Sequence, residues 1–202
     1  VDRNLYYERF KGKVADQAAL DALRQAKAAG LGSLAQVSDE RLQELVQEKK
    51  QRLADLLEEQ PPAVYQDAVS LIRNTETAGI LMAVGSKNPL IPDVARRLEL
   101  AASFAAIVTS DDVPHDKPHP GSFWVGAEEM MVHPAETAVV GDGPEDGEAG
   151  ANARVGLVVL VNREGTEANR QALLRTDPDV VVDDLNEVTV DRLREWMAQA
   201  PQ

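Results

Sequence analysis

The sequence predicts an α/β fold: a parallel sheet covered on both faces, joined to a small helical layer. Three observations carry this. Beyond residue 62, five short apolar runs alternate with helix-forming stretches. Those runs are nearly continuous in their apolarity, as strands buried on both faces are. From Val14 to Pro61, by contrast, the only periodicity is helical.

Residues 15–29 are Ala-rich and stop at Gly30, a residue suited to the left-handed turn that ends helices. Ser38 is placed to cap a second helix, whose Leu42, Leu45, Val46, Leu53, Leu56 and Leu57 form an apolar stripe. Glu48, Lys49, Lys50 and Arg52 on its other face read as solvated charge. Pro61-Pro62 breaks the helical pattern. Strands are then predicted at 80–84, 106–109, 137–140, 157–161 and 180–182, with helices at 66–78, 90–99, 120–131, 146–154 and 166–175. Phe123, Trp124, Ala127 and Met131 are expected to pack the core from the helix at 120–131.

With 202 residues, 44% of them apolar, the chain is long enough for a sheet domain (63–202) and a smaller helical one (1–62). A formal net charge of −13 argues against nucleic acid or an anionic membrane as partner, because both reward clustered Lys and Arg. No run approaches the roughly 18 apolar residues of a membrane span, so a cytoplasmic protein is expected. With no cysteine, disulfides, thiolate metal sites and cysteine nucleophiles are excluded.

In a parallel α/β sheet, ligands gather at the carboxyl ends of the strands. The stretch from Gly141 to Asp146, GDGPED, puts two carboxylates, Asp142 and Asp146, where the strand at 137–140 surfaces. Hard oxygen donors at such an edge suit Mg²⁺. A dinucleotide fingerprint fails because Asp146 stands where pyrophosphate would approach, and a calcium loop starting at Asp142 fails at Pro144 and Ala153. A solvated acidic turn favoured by the helix dipole is the plain alternative. After the strand at 80–84, Ser86, Lys87 and Asn88 form a strand-to-helix turn, either an anion site or a simple cap for the next helix. Lys117, just ahead of Pro118 and Pro120, can aim its ammonium back over the sheet edge at phosphate; a lone surface lysine is its alternative. His115 and His119 read as loop residues. Together, hydroxyl, lysine and metal-binding carboxylates are what phosphoryl transfer needs, since its catalysis is mostly positioning and charge neutralisation.

The order Ser-Lys-Asn, Lys-Pro, Gly-Asp-x-x-x-Asp resembles the haloacid dehalogenase superfamily of phosphatases and phosphomutases, in the branch with a helical cap that includes β-phosphoglucomutase and phosphoglycolate phosphatase. The resemblance extends over essentially the whole chain. Lys117 with Pro118 and Pro120 matches its third motif, Asp142 and Asp146 its fourth. Arg9-Phe10-Lys11-Gly12 resembles the cap loop that closes on substrate, and residues 180–187 its final strand. The resemblance implies a Rossmann-like core, a small helical cap domain, Mg²⁺ as cofactor and a small phosphorylated substrate; a monomer is expected, though the sequence does not fix the oligomeric state. The implied site residues are Lys117 as catalytic group, Ser86, Lys87, Asn88, Lys11 and Gly12 for substrate, and Asp142 and Asp146 for metal.

In such enzymes an aspartate from an Asp-x-Asp pair at the end of the first strand attacks phosphorus. No such pair follows an apolar strand here, and the sequence opens inside what resembles the cap. The nucleophile is therefore expected to be absent and the chain inactive as given. Val84 occupies the usual phosphate-binding hydroxyl position, with Ser86 as its possible substitute. The resemblance places the absent strand between those ending at Val84 and Val140, so an open slot is expected there unless another segment fills it. A non-catalytic relative that binds a phosphorylated ligand or a protein is the alternative reading, and an interaction module built on the helices at 15–59 is a third.

Overall fold

The computed structural model describes residues 15–30, 36–59 and 64–200. Helices α1 (Ala15–Ala28) and α2 (Asp39–Glu59) come first and lie against each other. Ser38 caps as expected, its Oγ accepting the Arg41 N–H at 3.2 Å. Arg24 and Lys27 each reach Asp39 at 3.2 Å, where the carboxylate also meets the positive end of α2. Leu42 and Val46 are buried but Leu56 is exposed, so the stripe seen in the sequence faces the core over the first turns of α2. Lys11 and Gly12 fall outside the described residues.

The remainder alternates: α3 (Gln66–Thr77), β1 (Ala83–Gly85), α4 (Ile91–Arg97), β2 (Ala106–Val108), α5 (Gly121–Glu129), β3 (Ala138–Gly141), α6 (Pro144–Ala153), β4 (Leu157–Val161), α7 (Glu167–Leu174), β5 (Val180–Val182) and α8 (Val190–Gln199). Among the described residues all pairing is parallel, in two sheets: β1–β2 and β3–β4–β5. Every residue of β4 is buried, and its side chains alternate between two layers, as strand geometry requires. Leu157, Val159 and Val161 pack with Val182, Leu185 and Val188 against α3 and α8. Val158 and Leu160 pack with Leu173 of α7. Helix α6 approaches this second face so closely that a Cβ on Gly150 would lie 2.8 Å from Val158.

The strand expected at 80–84 is displaced to Ala83–Gly85. Gly79, at φ +69°, closes α3 with Gly79 N–H to Glu76 C=O and Ile80 N–H to Thr75 C=O, a Schellman ending that takes Ile80 out of the strand. The helix expected from 146 starts at Pro144, because Pro suits a first helical position. Met131, expected in the core, is 91% exposed; α5 has already ended and Met131 takes φ +56°. The strand expected at 180–182 is Val180–Val182; the rest of the stretch to 187 that resembles the family's final strand holds a 3-10 turn at Leu185–Glu187, and α8 was not anticipated.

The split between the sheets positions the site. Among the described residues, β1 pairs only with β2, and β3 pairs only with β4, so each has one open edge. Helices α5 and α6 hold the two sheets together: Trp124 Nε1 donates to Ala153 O at 3.3 Å and Asn152 Nδ2 to Pro118 O at 3.1 Å. Val140, in register with fully buried Val159, is itself 37% exposed, and Ile80 and Leu81 ahead of β1 are exposed too. Apolar side chains are thus exposed beside edges that no described residue pairs.

A second fixed point lies just beyond the carboxyl ends of β4 and β5. Asp67 of α3 accepts the N–H groups of Ala68 and Leu185 at 2.8 and 3.1 Å and pairs with Arg163 at 2.5 Å. The Arg163 guanidinium in turn stacks on Tyr65, 4.3 Å from the ring centroid. Arg163, foremost, and the two N–H donors hold the Asp67 carboxyl down at about 2. A depressed carboxyl contributes stability that is complete above its ordinary value of 3.8 and is lost as pH falls toward 2. Asp67→Asn is expected to be about 1 to 2 kcal/mol less stable than the parent at pH 7. In urea denaturation that difference should shrink steadily below pH 4.

Candidate functional site

Lys117 follows the loop that leaves β2 and precedes α5, and its ammonium is mostly buried, with 12% side-chain exposure. It donates to the Gly85 carbonyl at the end of β1 at 3.0 Å and to Asp146 Oδ1 at 2.5 Å, so one cation bridges the two separated sheets. Asp146, whose side chain is 9% exposed, is engaged on both oxygens: Oδ2 accepts the N–H groups of Asp142 and Gly143 at 3.1 and 3.0 Å. Those donors are left over at the start of α6, so one carboxylate fixes the acidic turn and orients the lysine. Lys117 also lies 5.7 Å from the Phe123 ring centroid.

Asp142 sits one residue beyond β3, exposed. Asp142, Asp146 and Lys117 therefore meet at one sheet edge, as their spacing suggested. Among the described residues no three His, Cys, Asp or Glu side chains converge on a point. Asp142 fits as one hard oxygen donor, and Mg²⁺ commonly takes one or two carboxylates with water and substrate phosphate completing its shell.

The Ser86-Lys87-Asn88 turn lies at the end of β1 as expected, but its polar groups are largely employed locally. Ser86 Oγ accepts the Asn88 N–H at 3.1 Å, and Asn88 Oδ1 the Leu90 N–H at 3.0 Å. Both side chains therefore brace the turn ahead of α4, but neither caps the helix, whose N-cap is Leu90 with no side-chain hydrogen bond. Lys87 reaches across to Glu145 on the first turn of α6, Nζ to Oε1 3.0 Å. Glu145 was not singled out in the sequence; its place inside GDGPED was the available signal. Hydrogen bonding to its own backbone N–H, and then Lys87, hold its carboxyl below the ordinary range.

His119 Nδ1 accepts the Gly121 N–H at 3.2 Å and serves the start of α5. Burial, with His115 adding, lowers its pKa, which suits a neutral acceptor. Asp177-Pro178-Asp179 has Asp-x-Asp spacing but precedes β5, and Asp179 accepts the Val158 N–H at the start of β4. It stands at the amino end of the sheet, away from Lys117.

A family model described as haloacid dehalogenase-like hydrolase matches residues 3–154. Phosphoglycolate phosphatase of Escherichia coli K12 is 28% identical over 124 residues, covering 56% of this chain and 47% of its own. Pyrophosphatase PpaX of Oceanobacillus iheyensis is 29% identical over 85 residues, covering 42% and 38%. The chain thus spans about half or less of the length of these curated relatives. Among solved structures, β-phosphoglucomutase from Clostridium difficile superposes with a TM-score of 0.74 at 20% identity, covering 98% of this chain and 83% of that one. CbbY from Rhodobacter sphaeroides in complex with phosphate gives 0.68 at 19% identity, covering 87% and 77%. At these identities the structural likeness establishes the fold. No helix among the described residues is long and apolar enough to cross a membrane.

Proposed function

The chain belongs to the haloacid dehalogenase-like hydrolase family, and on that premise we propose that it is part of a Mg²⁺-dependent phosphohydrolase or phosphomutase acting on a small phosphorylated metabolite. The observation that carries this reading is Lys117, which bridges the Gly85 carbonyl and Asp146 beside exposed Asp142. Residues 1–62 are the helical cap and 63–202 the core. Lys117 holds the phosphoryl oxygens, and Asp146 keeps it aimed by occupying its other side. Ser86, with its acceptor side used by the turn, has its hydroxyl hydrogen left for phosphate, in place of the hydroxyl that Val84 lacks. Lys87 and Asn88 extend the anion site, and Lys11 and Gly12 close over substrate.

Asp142 would hold Mg²⁺ directly, with Asp146 supporting the turn behind it; when bound, the ion neutralises phosphoryl charge as the bond to the leaving oxygen breaks. The attacking carboxylate comes from a strand outside the described residues, laid between β1 and β3. It would form an aspartyl-phosphate as the substrate oxygen departs with a proton, and water would then cleave the acyl phosphate. Without such a strand the chain would be inactive.

The test is to join to the chain an apolar strand ending in Asp-x-Asp and to assay phosphate release from a panel of small phosphate monoesters. Turnover that depends on Mg²⁺ and is lost in Lys117→Ala is expected. An extended protein that folds yet releases no phosphate with any of them would refute the reading.

A further inference from the structure

Two lysines stand at the carboxyl ends of the strands, and both already hold a carboxylate. Their environments differ. Lys117 and Asp146 have side chains only 12% and 9% exposed, so parting them would strand a buried charge. Lys87 and Glu145 are 45% and 41% exposed at 3.0 Å, and an exposed pair of this kind is worth little more than the solvation it gives up. The first pair is fixed; the second is exchangeable.

Glu145 also has a place made for it. Its carboxylate folds back over the turn, with Oε2 2.6 Å from where a Cβ on Gly143 would stand. Gly143 has φ −110° and ψ 153°, an extended conformation open to any residue. What glycine provides there is room rather than backbone freedom, and the group using the room is the Glu145 side chain.

We propose that Glu145 is a resident anion that competes with the substrate's phosphate for Lys87 and so sets how readily the site takes an anion. The inference rests on the reading of Lys87 as a phosphate ligand. In the empty site Glu145 neutralises Lys87 and holds it across the slot. An arriving phosphate dianion brings more charge to the same ammonium and displaces a carboxylate held only by a solvent-exposed contact. Glu145 thereby lowers affinity for weakly charged anions and favours release of inorganic phosphate.

The experiment titrates inorganic phosphate into the 202-residue chain without divalent metal, following the backbone amide shifts of Gly85, Ser86 and Gly143 by NMR. Glu145→Gln is expected to bind about three- to fivefold tighter, the scale of an exposed ion pair. Gly143→Ala, which keeps the charge but crowds the carboxylate off its seat, should move affinity in the same direction. In a Lys87→Gln background, Glu145→Gln should have almost no effect. Equal tightening in that background would mean that Glu145 acts through the general field, and unchanged affinity in Glu145→Gln would also overturn the proposal. Lys117→Ala separates the two ideas. If it abolishes the shifts while Glu145→Gln changes nothing, only the competition fails. If it leaves binding intact, or if neither the parent nor Glu145→Gln responds to phosphate, the site reading itself fails.

Discussion

Asp146→Ala is expected to cost about 3 to 5 kcal/mol of unfolding free energy, the range found when one member of a buried ion pair is removed. Two losses combine. Lys117, its side chain 12% exposed, keeps the Gly85 carbonyl and the Phe123 ring but no counter-charge, and a cation left in that setting is costly. The N–H groups of Asp142 and Gly143 lose their acceptor, which alone is worth about 1 kcal/mol at a helix start. Asp146→Asn should cost less, because it retains an acceptor oxygen for one of these two jobs. Adding Lys117→Met to Asp146→Ala should return a good part of the loss, since removing both charges leaves no unpaired ion. Urea denaturation with comparable m-values checks this. A loss below about 1 kcal/mol in Asp146→Ala would mean that the pair does not hold the two sheets together. For a domain whose whole margin is about 5 to 15 kcal/mol, the expected loss is large.

How far this site could be read in the sequence depends on which part of it is local. Lys117, Asp142 and Asp146 were legible because each is tied to a short motif at a strand end, and strand ends in a parallel sheet converge by topology. Residues 157–161 and 180–182 were found to the residue, since continuous apolar runs buried on both faces leave little latitude. The entry to β1 was misjudged because Ile80 and Leu81 have strand character, while the Schellman closure at Gly79 decided where the chain turned. Met131 was misplaced because helical spacing continues past the point where the backbone has left the helix. Glu145 was overlooked for a different reason: its partner, Lys87, lies 58 residues away, and no local pattern announces a contact made only once two strand ends face each other. The spacing of GDGPED placed Asp146 at the site. Its full set of donors, which makes it a positioning residue, required the structure.

The second large effect is expected from filling the slot between β1 and β3. An extended apolar segment of about five residues, joined to the chain and ending in Asp-x-Asp, should raise unfolding free energy by about 3 to 6 kcal/mol, taking roughly 1 kcal/mol for each ladder hydrogen bond gained. The carboxyl end of β1 and the turn that follows β3 meet at Lys117, and each strand has an edge unpaired by any described residue, so a single parallel strand would complete both ladders at once. Covering Val140 and the apolar residues ahead of β1 adds burial to the hydrogen bonding. The acidic end of such a strand would arrive beside Lys117, whose ammonium already spans the two sides. Hydrogen exchange gives the decisive reading. Amides of Ala83–Gly85 and Ala138–Gly141 should become protected together, while those of β5, at the far edge of the sheet, should change only with global stability. A segment with the same composition in scrambled order is the control. Tighter overall stability without joint protection at the β1 and β3 edges would place the added segment elsewhere, and the slot would then have no part in assembling the site.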